Sequence, residues 1–399
     1  MFLTTLKAKI FKYAVFLAVA AAAVFLIQQA FDVLLSDVSD LAYVSLEARG
    51  FQKEEKVEHI KTPEPLKAIY MTSWVAGTPK WRTELVNFIK KSEINSLVTD
   101  VKDYTGRVAF DTKSKLVDTA GSEEIRIQDL KEFVNELHQN NIYAIARITV
   151  FQDPFYAKYN SDIAVKTKTG SNWKDRKGLM YIDPSAEEFW QYTVEVAREA
   201  EKMGFDELNF DYIRFPSDGN MKDIAFPISQ KVLSGLDSGG LSIDSPLAKE
   251  ILLEQFFKYL NSALKNTGVP ISADVFGMTM TNFDGLNIGQ VLERIEPYFD
   301  YVSPMVYPSH YPATFQGFKN PAAHPYEVVL YSMKRGVERV IAASSSPLKL
   351  RPWLQDFDLG AIYDAQKIRA QIQATYDAGL TSWMMWDPAN KYTKDGYLE

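Results

Sequence analysis

The sequence contains no cysteine and only four histidines among its 399 residues. The absence of cysteine excludes disulfide bonds, thiolate catalysis and cysteine zinc sites, although it does not fix the cellular compartment. The four histidines (His59, His138, His310 and His324) do not follow the spacing of metal ligands. The sequence therefore predicts neither a metal nor another cofactor.

The sequence also has no excess of positive charge. Lys and Arg together number 44 and Asp and Glu 51, which leaves a net charge of −7. A surface that binds nucleic acid needs clustered positive charge, so the composition argues against a nucleic-acid partner. The chain is instead 46% hydrophobic, enough for a sizeable core, and 13% aromatic. Aromatic side chains mostly fill cores, but Trp and Tyr also offer flat faces on which sugars stack.

The N-terminus has the pattern of a membrane-targeting segment. Three lysines, Lys7, Lys9 and Lys12, precede an uncharged apolar run over residues 13–27. Such a pattern defines either a cleaved signal peptide, after which the protein is secreted, or an uncleaved anchor. We favour the anchor, because the apolar run, when it is continued to Phe31, has about the length of a helix that spans a bilayer. The positive flank is expected to stay in the cytoplasm, which places the rest of the chain outside.

The remaining chain divides into a linker and one large domain. Residues 1–31 are predicted to be a cytoplasmic stub and anchor, residues 32–65 a charged linker, and residues 66–399 the domain. In this domain, short apolar runs alternate with helical segments, which predicts a (β/α)8 TIM barrel preceded by an N-terminal transmembrane helix. The predicted strands are 68–74, 96–103, 143–150, 207–216, 271–278, 301–308, 339–345 and 381–388.

The predicted connections differ in length at the two ends of the strands. Those from a helix to the next strand are short, whereas those from a strand to the next helix include 104–125, 151–182, 217–245 and 309–324. Barrel enzymes build their active sites from the connections that follow the strands. The sequence therefore predicts a site at the carboxyl ends of the strands.

The stretch "ELNFDYIRFPSDG", residues 207–219, places polar groups where a barrel strand should be apolar. Alternation puts Asn209 and Asp211 on one side of the strand, which we expect to face the lumen. The same alternation, together with position at the strand ends, brings further residues to this mouth. They are Trp74, Asp100, Lys102, Asp103, Arg147, Arg214, Asp274, Tyr307, His310, Trp386 and Asp387.

Carboxyl groups on several strands are typical of glycoside hydrolysis, which uses one protonated and one ionised carboxyl group. Asp211, next to Arg214 or Lys102, is expected to stay ionised. Asp274, without an obvious cation, is the first candidate for the proton donor, and Asp103 is the second. The other residues named at the mouth are predicted to bind and orient sugar. A network of charges that only satisfies itself remains the alternative.

Six motifs in order resemble those of the DUF4015 group, a family of bacterial, membrane-tethered or secreted glycosidase-like barrel proteins. Over residues 66–390 they read "AIYMTSWVAG", "NSLVTDVKDYTGRVAF", "YIDPSAEEFW", "FDELNFDYIRFPSDG", "ISADVFGM" and "IEPYFDYVSPMVYPSHY". The resemblance implies a TIM barrel related to the clan of α-amylases and chitinase-like enzymes. "FDYIRF" is similar to the strand of the α-amylase nucleophile, which implies that role for Asp211. "SPMVYP" and Trp386 resemble chitinase motifs on strands six and eight.

Two departures from these relatives affect the predicted mechanism. Strand five offers Asp274 where α-amylases carry a glutamate acid, and strand four lacks the final glutamate of the chitinase pattern. The predicted function is hydrolysis of an extracytoplasmic or cell-envelope polysaccharide. The alternative from another class is a carbohydrate-binding or scaffold barrel without catalysis, and a lyase or transglycosidase is a further enzyme alternative.

Overall fold

The computed structural model describes residues 57–236 and 240–399. The predicted stub and anchor, residues 1–31, and the first part of the predicted linker lie outside the described residues. Across the described part of the chain, none of the helices has both the length and the apolar character needed to cross a bilayer.

Eight parallel strands close into a barrel in which each strand pairs with its neighbours in sequence and β8 pairs with β1. This order confirms the predicted (β/α)8 barrel. The strands are β1 Lys67–Met71, β2 Ser96–Lys102, β3 Tyr143–Thr149, β4 Glu207–Asp211, β5 Ile271–Phe276, β6 Tyr301–Met305, β7 Trp353–Gln355 and β8 Trp383–Trp386.

Helices alternate with the strands and cover the outside of the barrel. They are α1 Pro79–Ile89, α2 Leu130–Gln139, α3 Glu187–Lys202, α4 Pro246–Leu264, α5 Leu292–Ile295, α6 Pro325–Ala342 and α7 Ala365–Asp377. Shorter helices lie in the connections that follow β1 to β4: Ser73–Ala76, Lys115–Ala120, Pro154–Tyr159 and Pro227–Gly235. Single 3₁₀ turns complete the list: Ser161–Ile163, Gly277–Met280, Gly285–Asn287, Glu296–Tyr298, Pro308–His310, Phe315–Gly317, Pro321–Ala323, Pro347–Lys349 and Lys394–Gly396.

The prediction for strand seven was wrong. Residues 339–342 form the last turn of α6, and the seventh strand is the three-residue segment Trp353–Gln355. The buried positions of α6 include Val328, Ser332, Gly336 and Val340. This spacing of four is helical, so the helix continues through the β-branched residues that suggested a strand.

The amino end of the barrel lumen is closed by a buried ion pair and by the chain that enters the barrel. Arg351 Nη1 lies 2.8 Å from Glu207 Oε2, and both residues are buried. Beside them, the hydroxyl groups of Thr62 and Tyr143 are hydrogen-bonded at 3.0 Å. The Ile60 N–H donates to Asp206 Oδ1 at 2.8 Å. The described end of the predicted linker therefore packs beneath the barrel.

The long connections lie at the opposite, carboxyl end. Those that follow β3 and β4 join in a small antiparallel sheet of Lys166–Thr167 and Ile224–Ala225. The Trp173 indole N–H also donates to Asn220 O at 3.1 Å, which links the same two connections. The connections that follow β3 and β4 are distant in sequence, but together they form one rim above these two strands.

Candidate active site

Arg147 organises the polar side chains in the upper lumen. It lies on β3, in register with Asp100 on β2 and Asn209 on β4. Its Nη1 donates to Asp100 Oδ1 at 2.6 Å, its Nη2 donates to Asp211 Oδ2, and its Nε lies 3.6 Å from Asp274 Oδ2. The predicted convergence of carboxyl groups from different strands is thus present, around a single guanidinium.

Asp274 is the most deeply buried of these acids and is 1% exposed. Asn209 Nδ2 donates to its Oδ1 at 2.9 Å, and Trp353 Nε1 donates to the same oxygen at 2.8 Å. Burial, and then the charge of Asp211, raise the pKa of Asp274 to about 8. Oδ1 accepts both of these hydrogen bonds, which leaves Oδ2, on the side of Arg147, as the oxygen available to carry a proton.

Asp211 ends β4, and both of its oxygens have fixed partners. Oδ2 accepts from Arg147, and Oδ1 accepts from the Tyr212 N–H at 2.5 Å. Tyr212 has a φ of 54°, so the chain turns sharply immediately after the carboxylate. A carboxylate offers about four lone-pair sites, so Asp211 can still act on a substrate while these contacts hold it.

Stacked aromatic rings form a wall beside the acids. Tyr70 on β1 stacks on Trp386 on β8 with ring centroids 3.7 Å apart, and Trp353 meets Trp386 edge-on at 5.6 Å. The guanidinium of Arg147 lies 4.9 Å from the Trp386 ring. Tyr307 is also buried at this site, where burial and then the charges of Asp274 and Asp211 raise its pKa. Trp386 and Tyr307 therefore lie where the sequence predicted them.

The cation beside Asp211 is Arg147 rather than Lys102 or Arg214. Lys102 Nζ lies 2.8 Å from Asp153 Oδ2 and donates to Thr149 O at 2.6 Å. Asp153 also caps the helix Pro154–Tyr159 through the Tyr156 N–H. Arg214 Nη1 donates to Phe215 O and to Ser217 Oγ, each at 3.1 Å. The predicted partners of Asp211 thus stabilise the connections around the site.

Asp103 and Trp74 lie together on the rim. Arg126 Nη1 donates to Asp103 Oδ2 at 2.5 Å, and the Thr105 N–H donates to Asp103 Oδ1 at 3.0 Å. Trp74 lies beyond the end of β1, in the helix Ser73–Ala76, with its indole 4.4 Å from the Arg126 guanidinium. Asp103 is therefore occupied by an ion pair outside the group around Arg147.

His310 and Asp387 also lie outside that group. His310 is exposed, and its ring centroid lies 5.4 Å from that of Tyr307. Asp387 Oδ1 accepts from the Ala389 N–H at 2.6 Å and closes the turn that follows β8. Within the described residues, no group of three or more His, Asp and Glu side chains could hold a metal ion.

Two residues of the site were missed at the level of sequence. Trp353 was overlooked because β7 was placed too early in the chain, and the short run "WLQ" after Pro352 was the available signal. Tyr70 lies in the predicted strand 68–74 but was given no role, and its hydroxyl donates to Asp100 Oδ2 at 2.5 Å. The signal that could have found it is alternation along this strand, which puts Tyr70 on the same side as Trp74.

The family of the chain follows from its sequence over this barrel. The DUF4015 family, described as "Putative glycosyl hydrolase domain", matches residues 68–392. The chain belongs to this family. The DUF4015 match runs from β1 past β8, so it includes every strand that carries the site. The resemblance inferred from the six motifs is confirmed, and no curated protein matches the sequence.

Solved structures share the barrel of this DUF4015 chain. The PgaB (BpsB) glycoside hydrolase domain from Bordetella bronchiseptica is similar with a TM-score of 0.61 and 14% identity, over 83% of this chain and 97% of that chain. The C-terminal domain of a putative chitinase from Desulfitobacterium hafniense has a TM-score of 0.50 and 11% identity, over 84% and 95%. At these identities the likeness establishes the fold. A hypothetical protein from Ruminiclostridium thermocellum is 30% identical over 52% of this chain and 97% of its own, with a TM-score of 0.44.

Proposed function

We propose that this protein hydrolyses O-glycosidic bonds of an extracytoplasmic or cell-envelope polysaccharide with two carboxyl groups, Asp274 and Asp211. Membership of a glycosyl hydrolase family supports the reaction class. The observation that carries the mechanism is a pair of carboxyl groups at the carboxyl end of one barrel: Asp211, which is paired with Arg147, and Asp274, whose pKa is raised to about 8 by burial and then by the charge of Asp211. Glycoside hydrolysis requires this combination of an acid and an ionised partner.

The charges around Arg147 explain why one acid holds a proton. A single guanidinium faces three carboxyl groups, so its charge cannot neutralise all of them. Burial raises the pKa of Asp100, but both of its oxygens accept short hydrogen bonds, from Arg147 and from Tyr70, which oppose this rise. Asp274 has no contact with Arg147 closer than 3.6 Å and gains most from staying neutral.

The proposed reaction uses each group in one role. Asp274 transfers its proton from Oδ2 to the glycosidic oxygen as the bond from that oxygen to the anomeric carbon breaks. Asp211 either attacks the anomeric carbon or removes a proton from the water that attacks it. Asn209 and Trp353 keep Oδ1 of Asp274 in place throughout. The partly exposed Trp386, which stacks on the buried Tyr70, offers a flat surface for the sugar ring.

The location of the substrate is proposed from the N-terminal sequence. Lysines followed by the apolar run at 13–27 are typical of a segment that anchors or exports a protein. In either case the barrel is placed on the outer side of the membrane, where the available glycans are exported polymers and components of the envelope.

A carbohydrate-binding or scaffold barrel is the second candidate. The ion pairs of Arg147 with Asp100 and Asp211 favour it, because they satisfy these charges without any substrate. A protein of this kind would bind glycans through the aromatic wall and release no sugar.

Glycan release separates the two functions. The full-length chain in detergent is incubated with isolated envelope polysaccharides, and reducing ends are counted. We expect release by the wild type and by Asp377→Asn, an exposed control at the end of α7. Asp274→Asn and Asp211→Asn should each lower the rate by at least about 100-fold. Release that persists in both variants contradicts the assigned roles, and glycan binding without release supports the scaffold.

A further inference from the structure

One large aromatic side chain on the rim is both exposed and firmly supported. Trp74 is 59% exposed, yet its indole rests 4.4 Å from the guanidinium of Arg126, a side chain that is only 3% exposed. A Trp over a guanidinium is a favourable cation–π arrangement. The indole therefore has one face held against the protein and the other open to solvent.

The support beneath Trp74 is rigid because every edge of the guanidinium is occupied. Arg126 Nη1 donates to Asp103 at 2.5 Å and to Ser73 Oγ at 2.9 Å. Its Nε donates to Glu124 Oε1 at 2.8 Å. Asp103 is itself fixed by Thr105. These bonds lie in the plane of the guanidinium, so its flat face is left as a platform for the indole.

The short helix that carries Trp74 is docked on the same residue through its backbone. A Cβ atom added at Gly77 would lie 2.0 Å from Arg126 O, so only glycine allows this approach. The Thr72 side chain caps the helix through the Val75 N–H. Trp81 provides a contrast, because it is 56% exposed on α1 and, within the described residues, stacks on no cation or ring.

We propose that Trp74 is a sugar-stacking subsite for a distal unit of the polysaccharide, and that Asp103 and Arg126 are its positioning residues. This inference rests on the proposed function. The electron-rich indole face attracts the C–H groups on the apolar face of a pyranose ring. Asp103 directly follows the last residue of β2, three residues after Asp100, so the chain between them spans at most about 10 Å at about 3.3 Å per residue. Because Trp74 and Asp103 are held by Arg126, outside the group around Arg147, we infer that the sugar on Trp74 is not the unit that is cleaved and that the substrate is a chain of several sugars.

The test measures how affinity depends on the length of the glycan. The full-length chain carrying Asp274→Asn binds without turnover, so affinity is separated from hydrolysis. The probes are cello-, chito- and galacturonate oligosaccharides from disaccharide to hexasaccharide, measured by calorimetry. Trp74→Ala and Trp81→Ala are compared in this background. The two variants lose the same side chain at nearly the same exposure.

The expected result is a gain in affinity with length that depends on Trp74 alone. Trp74→Ala should weaken hexasaccharide binding by about tenfold and leave disaccharide binding unchanged, whereas Trp81→Ala should match its parent. Arg126→Lys keeps the charge but removes the flat support, and we expect a smaller loss with the same length dependence.

Two results would overturn the subsite: equal affinities for Trp74→Ala and Trp81→Ala at every length, or no gain with length in the parent. Both are distinguishable from failure of the proposed function. If the wild type releases no sugar but the length effect is present, the hydrolase proposal fails and the subsite stands. If release requires Asp274 while Trp74→Ala changes nothing, the hydrolase stands and the subsite fails.

Discussion

At the scale of the residue, the main feature is one buried guanidinium shared by three acids. Arg147 touches Asp100 and Asp211 directly and lies near Asp274. Charges buried together are stable only when they are paired and hydrogen-bonded. Asp274 is the carboxyl group without close contact to Arg147, and its pKa is raised to about 8 by burial and then by the charge of Asp211.

The raised pKa of Asp274 has a consequence for stability. The folded state binds this proton more tightly than the unfolded chain, whose Asp pKa is about 3.9. The free energy of unfolding therefore falls as pH rises from about 4 towards the folded pKa of about 8. Asp274→Asn cannot ionise and should escape this fall. We expect the variant to gain stability relative to the wild type between pH 5 and pH 9 in urea unfolding.

Asp377→Asn serves as the control for that measurement. Its side chain is exposed, and hydrogen bonds from Tyr326 and Gln373 lower the pKa of Asp377 rather than raise it. The control should therefore show no relative gain at high pH. If Asp274→Asn loses stability as steeply as the wild type does, the proton is not held on Asp274.

Removal of Arg147 should destabilise the barrel strongly. Arg147→Gln leaves the acids of β2, β4 and β5 facing one another without a buried cation. Breaking a buried ion pair by removing one partner costs about 3–5 kcal/mol. The loss should be smaller at pH 5 than at pH 8, because protonation of the carboxyl groups relieves their repulsion. Urea unfolding at the two pH values checks this, and a loss that is independent of pH contradicts it.

Sequence reasoning located the acids but not their contacts. Alternation along a strand is a local property, so Asn209, Asp211 and Asp274 could be assigned to the lumen from sequence. Which cation meets Asp211 depends on the register of β3 against β4, a property of the closed barrel. The predicted strand positions put Lys102 and Arg214 close to Asp211. In the structure, however, Lys102 pairs with Asp153, and Arg214 donates to the backbone that follows β4.

At the scale of the element, the strands with clear apolar alternation were predicted and the shortest strand was not. β7 has three residues, too few for alternation to register. The run at 339–345 contains β-branched residues typical of strands, but the helical pattern that begins at Pro325 continues into this run as far as Ala342. Burial of one face of this long helix outweighed the strand propensity of the β-branched residues near its end.

The helix Ser73–Ala76 depends on the glycine that follows it. In Gly77→Ala the new Cβ would clash with Arg126 O, so the helix must move away from its support. We expect a loss of about 1–3 kcal/mol in the free energy of unfolding. Urea unfolding of the variant and the wild type measures this loss.

Gly235→Ala is the matched control for this substitution. Gly235 is the last residue of the helix Pro227–Gly235, and a Cβ added there meets nothing within 4 Å. We expect it to be neutral or to stabilise the protein by up to about 1 kcal/mol. If both alanine variants behave alike, the close approach at Gly77 does not determine stability.

At the scale of the whole molecule, the lumen has two polar ends separated by an apolar middle. The pair Glu207 and Arg351 lies at the amino end, and the group around Arg147 lies at the carboxyl end. Residues such as Val98, Ile145 and Met384 pack between them. Apolar side chains therefore separate the ion pair at the amino end from the charged group around Arg147 within one barrel.

The amino end provides a test of where the folded domain begins. A chain that starts at residue 66 lacks the Ile60 N–H bond to the buried Asp206 and the Thr62 bond to Tyr143. We expect it to be less stable than a chain that starts at residue 57 by about 1–3 kcal/mol. Urea unfolding of the two chains measures the difference. Equal stabilities would show that the domain begins at 66, as the sequence predicted.

The site divides its parts between two kinds of structure. The acids lie on or at the ends of barrel strands, whereas Trp74 and its support belong to the connections that follow β1 and β2. Under the proposed function, exchange of those two connections with others of different length should change which polymer is bound, because Asp211 and Asp274 stay in the sheet. If the proposed function holds, selectivity can therefore be changed by engineering the connections without altering the strands that carry the two acids.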